Sequence, residues 1–315
     1  MPAHYNRPPA AVTTPSGYSG ITHRLAFSRV KLGAWLSVLL GFHLQALAAS
    51  PVWKVETSDR QLYLAGSIHL LRAGDYPLPA AFERAYAHSD LVVLESDVSA
   101  SGQPEFQQRL SQASRLPGGQ RLDQHLSPAV WQRLVERFEQ WGIDHDFVAH
   151  LRPAMAAMTL TLVELRHLGV NLGGVDQHFS QRARADGKTL RFLETLDQQL
   201  GFMTALDQEN PDEILKQTLD EITRIETLFD LIMSHWRAGQ VDDMERLLVT
   251  PMQQTFPRIH QQILVERNRA WMPQLEVFLE SPVTELVIVG SAHLVGEEGL
   301  LNRLAQDGYR LTQLE

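Results

Sequence analysis

The sequence predicts an α/β fold: a central mixed or mostly parallel β-sheet flanked by helices, with a helical layer or cap. Three observations lead to it. Short strand-like apolar runs stand near the start, middle and end of the chain, at 62–65, 91–94, 189–193 and 286–289. Long stretches of helical periodicity separate them, as in layered α/β domains. The 315 residues are 44% hydrophobic and 21% charged, an ordinary globular composition able to bury a large core.

Each element follows from local pattern. Residues 53–57 alternate apolar and polar as a half-buried strand does, and a turn at 58–60 folds them onto 62–65 as a hairpin. Pro79 opens a helix reaching about residue 88. The unbroken apolar run 91–94 suits a buried strand. Residues 100–120 read as a loop or weak helix with Pro117, Gly118 and Gly119. Helices are expected over about 128–141, 153–168 and 177–185, then a strand at 189–193. One helix is expected from Pro211 to about 238, with Ile214, Leu215, Leu219, Ile222, Ile225, Phe229 and Ile232 at helical spacing and Gly239 as its cap. Another runs from Pro257 to about 280, kinked at Pro273. Residues 286–289 form the last buried strand, and a helix and an edge strand near 309–314 close the chain. No linker or tandem repeat interrupts residues 51–315, which read as one domain.

Residues 1–49 read differently. They carry Arg7, Arg24, Arg29 and Lys31 and no acid, and no charge occurs from 32 to 53. Leu36, Val38, Leu39, Leu40, Phe42 and Leu44 form an apolar body that ends in Ala46-Leu47-Ala48. This is the layout of an N-terminal extension and secretory signal peptide, and implies an exported, periplasmic protein. The alternative is an anchor in which residues 32–53 span the membrane. The absence of cysteine removes disulfide scaffolds, thiolate zinc sites, iron–sulfur clusters and Cys nucleophiles. A net charge of −9 argues against a nucleic-acid backbone as partner.

Two places read alike. Gly66-Ser67-Ile68-His69-Leu70 and Gly290-Ser291-Ala292-His293-Leu294 each follow a buried-type strand. Gly-Ser at a strand's carboxyl end lets the backbone turn tightly and approach a ligand, and the His then stands at the sheet edge where α/β proteins bind ligands. Two such imidazoles make half of a metal site; alternatively, each is bonded to backbone. Glu95 directly follows the run 91–94, where a carboxylate is costly unless paired, metal-bound or at the edge. Ion pairing or capping suits Asp97 better than Glu95. Asp176, in Gly173-Gly174-Val175-Asp176, reads as an N-cap. Glu194 repeats the pattern of a carboxylate after a strand, and Asn268 sits beside Arg267 mid-helix, facing a site or solvent. His125, His145, His150, His167, His235 and His260 read as structural or surface residues. No His-Glu-x-x-His, Gly-x-Ser-x-Gly or Gly-x-Gly-x-x-Gly is present.

With these residues in place the chain resembles the TraB/GumN family, which includes the Tiki proteins. The likeness rests on the paired Gly66–His69 and Gly290–His293 motifs and on Glu95. It is extended by Gly174-Val175-Asp176-Gln177-His178-Phe179, Gly187-Lys188, Leu193-Glu194-Thr195, Arg267-Asn268-x-x-Trp271 and the run from Val289 to Gly299. The resemblance implies a fold shared with erythromycin-esterase-like and ChaN-like proteins, and metal-dependent peptidase activity supported by Mn²⁺ or Co²⁺. Ligand type alone admits Zn or Fe as well.

The resulting expectation is an exported metal-dependent hydrolase acting on a peptide or a small-molecule substrate. His69, His293 and Glu95 hold the ion, Glu95 serving as third ligand or base, and Arg267 or Asn268 stabilises the oxyanion. The rival is a non-catalytic haem- or ligand-binding envelope protein of the ChaN-like type, with His69 or His293 as axial ligand. A third reading is sequestration of a peptide without cleavage. Neither nucleic-acid binding nor stable membrane insertion is expected once the leader is removed. Glu95→Gln is expected to be neutral or stabilising, since it removes a carboxylate from an apolar strand end.

Overall fold

The computed structural model describes residues 49–97, 99–205 and 209–315; the expected leader lies outside them. Strands β1 (Val52–Glu56) and β2 (Gln61–Ser67) form the expected hairpin, with Val55 opposite Leu62. The two-residue strand β3 (Leu70–Leu71) follows. Helix α1 (Ala80–Ala87) buries Ala81, Phe82, Ala85 and Tyr86 on one face and leads into β4 (Leu91–Leu94), buried at every position. Helix α2 (Pro104–Ala113) forms where the sequence left a loop or weak helix; Phe106 is its one buried residue.

Helix α3 (Pro128–Glu139) buries Val130, Leu134 and Phe138, four residues apart. Then come α4 (His145–Ala149), capped by Asp144, and α5 (Pro153–His167). Strand β5 (Leu172–Gly173) pairs with β3. Helix α6 (Val175–Asp186) ends at Gly187, whose φ of 70° stops it. Strand β6 (Thr189–Phe192) and helices α7 (Leu196–Ala205), α8 (Pro211–Ile222) and α9 (Ile225–Arg237) follow. Helix α10 (Val241–Met244) passes through a π turn, Glu245–Val249, into α11 (Thr250–Thr255). Helix α12 (Pro257–His260) passes through a second π turn, Gln261–Val265, into α13 (Glu266–Glu280). Strand β7 (Glu285–Gly290), the single helical turn α14 (Ser291–Leu294), α15 (Leu300–Gln306) and β8 (Arg310–Gln313) complete the chain.

The main sheet has the order β6-β4-β7-β2-β1-β8. β2, β7, β4 and β6 are mutually parallel and β1 runs against its neighbours. The expected α/β architecture is therefore present, with the carboxyl ends of β2, β4 and β7 on one edge. One hydrophobic core packs around the sheet. A second, built from Leu122, Leu134, Phe138, Leu160, Leu215 and Leu219 among others, makes the helical layer. Among the described residues no helix is long and apolar enough to cross a membrane.

Three expectations need correction. The helix expected over 211–238 is broken at Arg224, whose φ and ψ of −129° and 15° leave the helical region. The break lets α8 send Leu215, Leu219 and Ile222 into the helical layer while α9 sends Phe229, Met233 and Trp236 into the sheet core. The irregularity in the helix from Pro257 is the π turn ahead of Arg267, whereas Pro273 lies inside α13. Helix α7, which carries Gln199 and Phe202 to the site, and helices α10 and α11 are absent from the expected elements.

Candidate functional site

Four parallel strands deliver the site. β2 and β7 pair with Ser67 opposite Gly290, so the two Gly-x-x-His motifs leave adjacent strands almost in register. Past β4 and β6 the ladder continues, with Leu193 N–H donating to Leu94 O and Glu194 N–H to Glu95 O. Glu95 and Glu194 thus stand side by side at neighbouring strand ends.

The glycines of the two motifs serve different ends. A Cβ on Gly66 would lie 2.8 Å from Ser291 Oγ and 3.0 Å from Leu294 Cδ1, so its absence lets α14 pack on β2. A Cβ on Gly290 would lie 3.2 Å from Glu95 Oε1, 3.2 Å from His69 Nε2 and 3.6 Å from His293 Cδ2. Three expected site residues, far apart in sequence, therefore converge on the space a methyl group would fill. Gly174 supplies a third close approach: a Cβ there would meet Ile68 O at 1.9 Å. The N–H groups of Gly174 and Val175 donate to His69 O and Ile68 O, which fastens the start of α6 against the His69 loop.

Both imidazoles are held through Nδ1. His69 Nδ1 meets Asp176 Oδ1 at 3.2 Å, and the same oxygen accepts from Ser67 Oγ at 2.7 Å. Asp176 is therefore not the cap of α6, a position held by Gly174; it is drawn to the site by its two partners. His293 is buried, and its Nδ1 lies 2.7 Å from Asn268 Oδ1. The Asn268 amide nitrogen donates to His293 O and Glu298 O. Both ends of the Asn268 amide are thus engaged, so it orients His293 and is not a free oxyanion donor.

Arg267 holds the centre. Its Nη2 donates to Glu95 Oε2 and to Glu194 Oε1, its Nε donates to Glu194 Oε2, and its Nη1 lies 2.9 Å from His293 Nε2. Glu194 is braced by Gln199, which accepts in turn from Ser96 Oγ. Glu95 Oε1 accepts the Gly290 N–H at 2.6 Å. Burial opposes the charge on Glu95, but His293, Arg267, His69 and the Gly290 N–H outweigh it and lower its pKa to about 2. Burial, aided by Arg267, pushes His293 down to about 3, against the pull of Glu95. Burial also opposes the proton on His69, yet Asp176 and Glu95 prevail and raise its pKa to about 9.

Among the described residues no three His, Asp or Glu side chains form a ready-made ion cage, because the Arg267 guanidinium lies between Glu95, Glu194 and His293. The donor set still fits a divalent ion. Neutral His293 has an Nε2 lone pair, which an ion would take over from Arg267 Nη1, while His69 Nε2, which gives up its proton on binding, and Glu95 Oε1 face the Gly290 gap. Each Nδ1 is tied to an oxygen acceptor, the outer-shell support that metal-ligating histidines use. His69, Glu95, Asp176 and Arg267 line a cavity of about 510 Å³ together with Leu94, Met158, Phe202 and Ile263, within the ~300–1,000 Å³ range of ligand pockets. The sequence flagged Glu194 without giving it a role, marked Ser67 only as part of a tight turn, and missed Ser96. A second carboxylate directly after a strand was the one available signal.

A model of the TraB/PrgY/gumN family matches residues 51–313. The chain is 26% identical over 246 residues to the uncharacterized protein YbaP of Escherichia coli, covering 77% of this chain and 87% of that protein; the Shigella flexneri protein of the same name matches equally. It is 21% identical over 313 residues to the metalloprotease TIKI1 of Danio rerio, covering 82% of this chain and 62% of that protein. No solved structure matches.

Proposed function

The chain belongs to the TraB/PrgY/gumN family, and from that premise we propose that it is an exported hydrolase that uses a divalent ion to cleave peptide bonds. One observation carries the reading: His69, His293 and Glu95 converge on the gap at Gly290, with both imidazoles held through Nδ1. The distant likeness to a metalloprotease supports the reaction class. His69 Nε2, His293 Nε2 and Glu95 hold the ion, with Mn²⁺ or Co²⁺ as first choice and Zn²⁺ or Fe²⁺ as alternatives. Such an ion lowers the pKa of a bound water and polarises the scissile carbonyl.

The remaining steps belong to the chain's own groups. Asp176 and Asn268 set the imidazole orientations. Glu95 Oε1 faces the gap that it shares with His69 while its Oε2 is held by Arg267, so Glu95 acts as ligand rather than as base. Arg267, charged and held by two carboxylates, supplies the oxyanion donor through the Nη1 that now meets His293 Nε2 and is released when that nitrogen takes the ion. Phe202 and Trp271 cover its guanidinium at 5.2 and 4.7 Å from their ring centres and keep water from that face.

The test is hydrolysis of a peptide library with Mn²⁺ or Co²⁺ against chelator. His69→Ala and His293→Ala are each expected to abolish cleavage, the double variant being no worse than either single. His125→Ala, at an exposed position, is expected to retain it. Folded variants that all cleave as wild type does would refute the assignment. Haem uptake with a Soret band in place of cleavage would replace it with the ligand-binding reading.

A further inference from the structure

The cavity has an apolar wall whose only part in the proposed chemistry is that Phe202 shields Arg267. Opposite the sheet edge stand Met158 from α5, Phe202 from α7 and Ile263 from the π turn before α13. All three are half-buried, so each keeps apolar surface turned toward the open space. Met158 packs on the core of the helical layer and Ile263 on the sheet core, so the wall straddles both. The π turn aids this placement, because Ile263 and Arg267 both line the cavity and Arg267 Nη1 donates back to Ile263 O.

The charged groups around the cavity are already engaged with one another. Arg267 is shared by Glu95 and Glu194, and Asp176 is engaged by Ser67 and His69. Among the described residues around the cavity no charged group is left unengaged for a substrate. A charged side chain entering beside Met158 and Ile263 would lose its water and gain no partner, whereas an apolar one would lose only unfavourable hydration.

We propose that Met158, Phe202 and Ile263 form the subsite for an uncharged apolar side chain next to the scissile bond. The substrate class is then a peptide cut beside Leu, Ile, Met or Phe and not beside Asp, Glu, Lys or Arg. The inference rests on the hydrolase reading above for the word "cut" and on the cavity alone for the preference. The step is ordinary hydrolysis: water adds its hydroxyl to the carbonyl carbon, the C–N bond breaks, and the amine leaves with the second proton.

Two measurements on the full chain separate the two ideas. The first is cleavage, with Mn²⁺, of peptides varied at both residues flanking the bond. Apolar residues should be favoured at one flanking position by about tenfold or more over charged ones. Ile263→Ala and Met158→Ala should each shift the preference toward Phe and Trp, and Met158→Lys should admit Asp and Glu. The second is ligand-observed NMR on the metal-free chain with N-acetyl-leucine amide and N-acetyl-aspartate amide. Only the leucine compound should bind, and Ile263→Ala should weaken it. Cleavage without apolar preference, or equal binding of the two amides, overturns the subsite. If no peptide is cut while the leucine compound binds selectively, the hydrolase reading falls and the apolar subsite stands.

Discussion

At the scale of single residues, the buried arginine sets the energetics of the site. Removing one partner from a buried ion-pair network leaves charge uncompensated, at a cost of about 3–5 kcal/mol. Arg267→Ala would leave Glu95 and Glu194 facing each other, and thermal melts should show that loss. The same pairing reverses the sign expected for Glu95→Gln. Glu95 is bonded to Arg267 and Gly290, so neutralising it should destabilise the fold. Asn268→Ala frees the His293 ring and should weaken Mn²⁺ binding about 10–100-fold by calorimetry. Glu285 gives a pH prediction away from the site. It is fully buried, and burial raises its pKa above the ordinary 4.5 against the weaker pull of Ser281. At acid pH the carboxyl is protonated in both states and carries no charge penalty. As pH rises, the unfolded chain ionises first and the native state loses ground. Glu285→Met should therefore gain more melting temperature at about pH 7 than at about pH 4, with a gain of about 1–3 kcal/mol at the upper end. An equal gain at both would exclude ionisation as the cause.

At the scale of elements, two glycines allow a contrast. Gly174 joins the start of α6 to the end of β2, and a Cβ there meets backbone at 1.9 Å. That clash cannot be relieved by a side chain, so Gly174→Ala should cost about 1–3 kcal/mol or more and loosen His69 as well. Gly290→Ala meets only the tips of Glu95 and His69, each at 3.2 Å. It should fold with a small loss of melting temperature yet bind Mn²⁺ poorly, because the methyl occupies the space the three donors face. Calorimetry beside melts distinguishes the pair; a Gly290→Ala protein that binds metal normally would argue against the shared site. Element identity was readable where the local pattern was strong, as in the unbroken apolar run of β4, the spacing of Val130, Leu134 and Phe138 in α3 and the proline that opens α5. The break at Arg224 was not, because Ile222, Ile225 and Phe229 keep helical spacing while their helices serve different cores.

For the whole molecule, Ser50 ties the approach to β1 to the residue after β8. Its N–H and Oγ both donate to Leu314 O, and β1 begins two residues later. A chain cut after residue 49 should melt like the full-length protein, while one begun after Glu56 loses the strand between β2 and β8 and should not fold. Export is tested by recovering the protein from the periplasmic fraction and sequencing its new N-terminus. An intact Met1 in the membrane fraction would favour the anchor. The sequence by itself determined the fold class, the strands that build the sheet, and the identity of His69, His293 and Glu95 as residues in unusual settings. Those conclusions rest on local signals: apolar runs, a carboxylate directly after a strand, a glycine before a His. Only the tertiary structure decided how these residues are used. Strand register put Ser67 beside Gly290, and continuation of the ladder set Glu194 beside Glu95. Packing of α13 on the sheet then brought Arg267 and Asn268 to His293. Contacts between residues so distant in sequence depend on pairing and packing across the whole domain, for which no local pattern carries the information.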